Sequence, residues 1–262
     1  MARRPASTSM TSMDVRAQIV CAAMAVAAGM VGCFAVMRRM TLAADAFSHV
    51  ALPGIGLALV LGLHPLTGAL VALIAGGVLI WAIEGKTKLS TEAITGVVFS
   101  VALAVGSLTA TGEELIDALF GAPGVMTTAE AVFGLTAAIA VAGFIFMARD
   151  RLLVSLVSSE VAIASGIGLK RLQLSFLIAF AVTVAIGMRY LGVLLMGSMI
   201  IIPATVAKRL ARSIDGMFAI AIGAALISTL LGSWIAAWAH RPSGPVIVAI
   251  AGSLFFVSLV RR

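Results

Sequence analysis

The chain has 262 residues, 61% of them hydrophobic and 11% charged, with a net charge of +7 and a mean hydropathy of +1.16. An ordinary soluble domain carries about 25% charged residues, so a water-soluble globule is excluded, and most of the chain divides into apolar runs of the roughly 20 residues that cross a bilayer. The basic excess does not indicate a nucleic-acid surface, because the cationic residues stand in short pairs between apolar runs without interleaved aromatics, as topology markers do.

Residues 1–15 are polar and Ser/Thr-rich and read as a poorly ordered tail. Arg3 and Arg4 ahead of an apolar run resemble a secretory signal, but Gln18–Met37 exceeds a signal core of about 7–15 residues and more spans follow. It reads as the first span. Cys21 and Cys33 lie in it about 120° apart around a helix, ill placed to share a metal or a disulfide. Further spans are expected at 42–63, 66–83, 92–110, 129–147, 172–188, 191–207, 217–238 and 245–260. The fold class is therefore all-α, a polytopic transmembrane bundle forming one domain over 16–262. It has about nine spans, or eight if Met188-Arg189-Tyr190 interrupts one broken helix instead of joining two.

Orientation follows from the basic residues. With the N-terminus outside and nine alternating spans, the cytoplasmic side holds Arg38, Arg39, Lys86, Lys88, Arg149, Arg151, Lys170, Arg171, Lys208, Arg209, Arg212, Arg261 and Arg262. That is 13 of 18, against Arg3, Arg4, Arg16, Arg189 and Arg241 outside. The C-terminus is then cytoplasmic, and Glu113, Glu114, Asp117 and His240 face outward.

Two stretches are not spans. Thr111–Thr128 contains GEELIDALFGAPG, an amphipathic turn or two followed by Gly/Pro punctuation, expected at the outer surface or dipping partly into the bilayer. Ala148–Lys170 has cationic ends and mixed polarity. It suits a short helix capped by Gly166. As the longest inner connection, it is where a cytoplasmic partner would grip; an interfacial helix resting on lipid remains the alternative.

The second span carries Asp45 and His49, and a carboxylate in a hydrocarbon span is costly unless it faces a polar interior or an ion path. At i, i+4 both side chains share a face with Cβ atoms about 5–6 Å apart, within reach of one divalent cation. A hard oxygen and a borderline nitrogen suit Zn²⁺, Mn²⁺ or Fe²⁺ better than Cu⁺. Two ligands do not close a structural site, and an incomplete site suits an ion that must also leave. A polar pair that only fixes helix packing is the competing reading. Ser48 points off this face and reads as a packing or back-bonded residue. Pro53, followed by Gly54, removes the hydrogen bond to the His49 carbonyl and should kink the helix, freeing that oxygen as a further ligand or leaving a plain kink.

Other polar residues have local explanations. His64 and His240 sit at predicted outer edges, where they meet either an arriving ion or only the interface. Glu92 and Glu130 open spans, where an acid suits a helix N-terminus. Gly85-Lys86-Thr87 is not a phosphate-binding loop, since Ile80 stands where that motif needs its first Gly.

Three ordered blocks carry a resemblance. The first is Arg38-Arg39 … Asp45-Ala46-Phe47-Ser48-His49 … Pro53-Gly54. The others are Glu160 … Ala164-Ser165-Gly166-Ile167 and Tyr190-Leu191-Gly192-Val193-Leu194-Leu195 … Ile202-Pro203-Ala204-Thr205-Val206-Ala207-Lys208-Arg209. Together they resemble the membrane permeases of ABC-type uptake systems for manganese, zinc and iron, over about residues 15–262. The resemblance implies that Asp45 and His49 coordinate the transported metal. It also implies that the segment holding Glu160, Ala164, Ser165 and Gly166 docks into an ATPase subunit, although Ser158 and Ser159 stand where the family is often more acidic.

The partners it implies are two ATPases, a second permease copy or paralogue, an extracytoplasmic metal-binding protein and the lipid of a bacterial plasma membrane. No permanent cofactor is expected, and no enzymatic activity in this chain. The mechanism implied is alternating access driven by ATP. A self-sufficient, proton-coupled metal carrier is the alternative; an intramembrane metalloenzyme would need a third firm ligand and a general base that no other span residue offers.

Overall fold

The computed structural model describes residues 15–109, 127–191 and 193–260. The rest of the tail, most of the expected outer stretch with Glu113, Glu114 and Asp117, Gly192, and the terminal Arg261 and Arg262 lie outside the described residues. Within them every element is an α-helix: α1 Val15–Met37, α2 Thr41–His49, α3 Ala51–Val60, α4 Pro65–Glu84, α5 Thr91–Thr109, α6 Thr128–Val157, α7 Ser159–Ala164, α8 Leu169–Leu191, α9 Val193–Leu210, α10 Ile214–Trp238 and α11 Ser243–Val260. A helix satisfies its own backbone, which lipid does not do. Seven of these helices (α1, α4, α5, α6, α8, α10 and α11) are long and apolar enough to cross a membrane, and Asp45–Val60 forms a shorter apolar stretch.

Helix ends follow local chemistry. Thr127 and Glu130 form a reciprocal capping box at the start of α6, the Thr127 Oγ1 accepting from Glu130 N at 3.2 Å and the Glu130 carboxylate from Thr127 N at 2.9 Å. Ser213 caps α10 by accepting from Gly216 N. Pro65 opens α4, where its missing N–H costs nothing, and His64 Nδ1 accepts from Leu66 N. Each satisfies or removes an orphan donor of a first turn. Glu92 and Glu130 lie in the first turns of α5 and α6.

The core is built around α1, buried continuously from Ala27 to Val36 and packed against α6, α8, α9 and α10. Phe34 meets Phe176 of α8 and Phe218 of α10, with ring centroids 6.4 and 5.7 Å away. Large apolar side chains such as Val71, Met147, Trp234 and Phe256 are exposed, as a surface facing acyl chains requires.

Boundaries differ from the sequence-based expectation in two places. The span expected over 42–63 is two helices, α2 and α3, meeting at Val50. The span expected to end at Met147 instead continues as α6 to Val157, giving 30 residues, or about 45 Å at 1.5 Å per residue, longer than a hydrocarbon core of about 30 Å. The cationic residues do not end it because the buried stripe Ile145, Ala148, Leu152 continues past them, and Arg149 donates to Asp215 of α10 at 2.8 Å. Farther on, α8 and α9 fold back on one another. A β-carbon at Gly187 would fall on the side chain of Met196, whereas nine residues of unbroken helix would separate them by about 13 Å.

Candidate functional site

Asp45 and His49 both lie on α2, one turn apart, and both are half-buried. This helix packs between α5 and α9. The His49 ring is tilted against Phe99 of α5, with centroids 5.4 Å apart. On the other side α9 brings Gly197 so close that a β-carbon there would meet Asp45 Oδ1 at 2.5 Å and Asp45 Cα at 2.9 Å. Only glycine admits α2 at that depth. Ser48 is buried, and its hydroxyl donates back to the Asp45 carbonyl at 2.6 Å, so it is spent within its own turn.

The break beside these residues has a covalent cause. Pro53 lacks the N–H that the His49 carbonyl would accept in a continuous helix, and the interruption falls at Val50, whose N–H reaches Phe47 O at 3.1 Å. Beyond it α3 is held close to α4 through Gly54 and Gly68, since a β-carbon on either would fall on the other's carbonyl oxygen. Pro53 also touches α5, its Cδ lying 3.4 Å from where a β-carbon of Gly106 would stand.

Among the described residues no third His, Cys, Asp or Glu joins Asp45 and His49 in a metal-sized cluster. His64 instead approaches Glu130, Nε2 to Oε1 at 3.7 Å, and His240 is exposed with a left-handed φ of 52°.

The second group of residues singled out by sequence gathers on α7. Ser158 caps it by accepting from Val161 N at 3.2 Å, and Glu160 sits in its first turn, where the dipole favours an acid. Gly166, at φ +74°, closes it: Gly166 N donates to Ile163 O and Ile167 N to Ala162 O, both at 2.9 Å. This pair is the Schellman arrangement, and it needs a residue at home in the left-handed region. Ala162 is buried beneath the helix, while Val157, Val161 and Ile163 are exposed around it.

In the third group, Arg209 caps α11, its Nε donating to Ser258 O at 2.9 Å and its Nη2 to Leu259 O at 3.1 Å. The side chains of 189–195 lie outside the described residues. Sequence reasoning passed over Phe99 and Gly197, which flank the acid and the imidazole; no local pattern pointed to either.

Seven helices long and apolar enough to cross a membrane, packed into one bundle, are those of a polytopic membrane protein. A model of the ABC 3 transport family matches residues 10–262. The chain is 30% identical over 238 residues to the high-affinity zinc uptake system membrane protein ZnuB of Haemophilus influenzae, covering 88% of this chain and 90% of that one. It is 25% identical over 249 residues to the manganese transport system membrane protein MntC of Listeria monocytogenes, covering 94% and 89%. Among solved structures it resembles PsaBC from Streptococcus pneumoniae, in complex with Fab, with a TM-score of 0.81 and 26% identity over 94% of this chain and 90% of that one. The chain belongs to the ABC 3 transport family, that of membrane permeases of ABC-type metal uptake.

Proposed function

We propose that this permease carries a divalent transition metal, Mn²⁺, Zn²⁺ or Fe²⁺, inward past Asp45 and His49, driven by ATP hydrolysed in a separate subunit. The observation that carries the reading is the state of those two side chains. Both are half-buried, on one helical face beside a break, and among the described residues neither has a hydrogen-bond or ion-pair partner within the chain. What supports the reading is their placement: an acid and an imidazole one turn apart on one helical face can both reach a single cation.

Each permease copy offers two ligands plus the His49 carbonyl freed by Pro53, and a second copy or a paralogue facing it across the path supplies the rest. An extracytoplasmic binding protein delivers the ion. The short α7, with exposed Val157, Val161 and Ile163 around a capped turn, is the surface that enters the ATPase. Glu160, Ala164, Ser165 and Gly166 give it its shape. The long α6 carries α7 clear of the bilayer, and the fold-back at Gly187 and Met196 favours nine spans, with the N-terminus outside and the C-terminus in the cytoplasm of a bacterial cell. No cofactor resides in the chain; the metal is cargo.

The test is to reconstitute this chain with its ATPase and scan Mn²⁺, Zn²⁺ and Fe²⁺ for stimulated ATP hydrolysis and vesicle uptake. Stimulation by one ion with ATP-dependent uptake is expected. Uptake by vesicles holding the permease alone, without ATP and with accompanying proton flux, would replace this reading with a secondary carrier.

A further inference from the structure

Glu84 is the last residue of α4, where the negative end of the helix dipole disfavours a carboxylate. Nothing in α4 compensates for it. Its hydrogen-bond partners come from two other helices, and a cation near the end of a third acts on it through charge. Thr91, the first residue of α5, donates its hydroxyl to Oε1 at 2.8 Å, and Gln173, in the second turn of α8, donates its amide to Oε2. Arg38, just past the end of α1, lies over the Phe176 ring of α8 with its guanidinium carbon 5.0 Å from the centroid. Burial lowers the Arg38 guanidinium from its usual value, and the Glu84 carboxylate pulls it back up. One turn earlier on α4, Trp81 Nε1 donates to Lys170 O at 2.9 Å. Two bonds within one turn thus bind α4 to the start of α8, which follows α7 after a four-residue connection (165–168).

Between them α4 and α8 hold both halves of the broken helix. On α8, Phe176 lies beside Phe180, ring centroids 6.5 Å apart, and Phe180 meets Phe47 at 5.5 Å, between Asp45 and His49 on α2. On α4, Gly68 interlocks with Gly54 of α3, and Gly76 and Gly77 face Phe47, whose ring atoms lie 3.6 and 3.5 Å from where their β-carbons would stand. If α4 and α8 moved separately, Phe47 would be drawn by two helices at once while α3 followed α4, and the geometry at Val50 would be left to chance.

We propose that Glu84 is a positioning residue that locks α4 to α8, so that displacement of α7 reaches both halves of the Asp45–His49 helix as a single movement. The proposal rests on the reading of α7 as the ATPase-facing element. Glu84 touches no ion. It acts by making two helices one lever, and its loss should separate ATP hydrolysis from transport without removing either binding site.

The experiment uses the reconstituted permease–ATPase complex and reads metal ions moved per ATP hydrolysed, alongside complex yield and thermal stability. Glu84→Ala should lower that ratio at least tenfold, with basal hydrolysis kept and metal stimulation lost. Gln173→Glu alone, setting two carboxylates face to face, should do the same. The exchange E84Q/Q173E should recover the ratio. Its new amide on α4 can accept from Thr91 through the carbonyl and donate to the new carboxylate on α8. A merely structural role would move stability and yield together with the ratio.

If Glu84→Ala keeps the wild-type ratio, the proposal is overturned. Should that variant not assemble, the exchange decides: no recovery above Gln173→Glu alone overturns it equally. A wild-type complex with neither metal-stimulated hydrolysis nor uptake would take down the transport reading first, whereas a coupled wild type beside unaffected variants removes only the lever.

Discussion

Gly197→Ala is the sharpest probe of how the acid is seated. The added β-carbon would stand 2.5 Å from Asp45 Oδ1 and 2.9 Å from Asp45 Cα. Rotating the carboxylate relieves the first contact but not the second, because Cα moves only with the α2 backbone. Restoring an ordinary carbon–carbon distance of about 3.5–4.0 Å needs a retreat of about 0.6–1.1 Å. Such overpacking costs about 1–3 kcal/mol, which a large bundle survives. The metal is less forgiving, since ligand distances hold within about ±0.2 Å, so the shift carries the carboxylate out of coordination. Disturbing the surroundings of a ligand typically costs about 10–100-fold in metal affinity, and the half-saturating metal concentration should rise by that factor. The assay is initial uptake into proteoliposomes of the reconstituted complex, against metal concentration. The control is Gly143→Ala on α6, where a β-carbon meets nothing within 4 Å. An assembled Gly197→Ala complex with unchanged half-saturation would refute the claim that Asp45 serves the ion from this seat.

Asp45→Asn keeps size and loses charge; uptake should fall about 10–100-fold while the complex purifies normally, and normal uptake would remove Asp45 from the path. Gly166→Ala forces an alanine to a φ of +74°, costing about 1–2 kcal/mol. Its complex should recover less ATPase on purification and lose metal stimulation, and unchanged recovery with unchanged activity would move the dock away from α7. A single cysteine replacing Arg262 should react with a membrane-impermeant thiol reagent only from the cytoplasmic side; labelling of intact cells would overturn the orientation.

The parts of this fold that were legible in the sequence are those set by short-range chemistry. Apolar runs of span length announced the helices, and Gly166 announced the end of α7 because a left-handed residue after a short helix has few other occupants. Asp45 and His49 were visible as an i, i+4 pair in the wrong solvent. The extension of α6 to Val157 was not, because Arg149, which looks like a span end, is answered by Asp215, far along the chain. Gly197 was equally silent: it sits in a run of apolar and small residues, and only packing reveals that it faces Asp45. Glu84 was silent too: the expected span stopped at 83, and only the structure shows an acid closing α4 against the dipole rule that explains Glu92 and Glu130.

On the proposed reading, the incompleteness of the site is what lets the importer switch. A permanent metal site would close four ligands around the ion, whereas among the described residues no third His, Cys, Asp or Glu joins Asp45 and His49. With two side-chain ligands from each copy, affinity would be set by how two copies face each other, which the proposed α4–α8 lever would control. If each lost ligand costs at least the about 10–100-fold that disturbing a ligand's surroundings does, parting the copies removes two and weakens binding by at least about 10²–10⁴. Inverting a two-state preference from 1:99 to 99:1 needs about 10⁴, so the upper end of that range suffices to load the ion in one arrangement and release it in the other. A third and fourth ligand within the same chain would hold the ion through both states, and the tighter site would be the worse transporter.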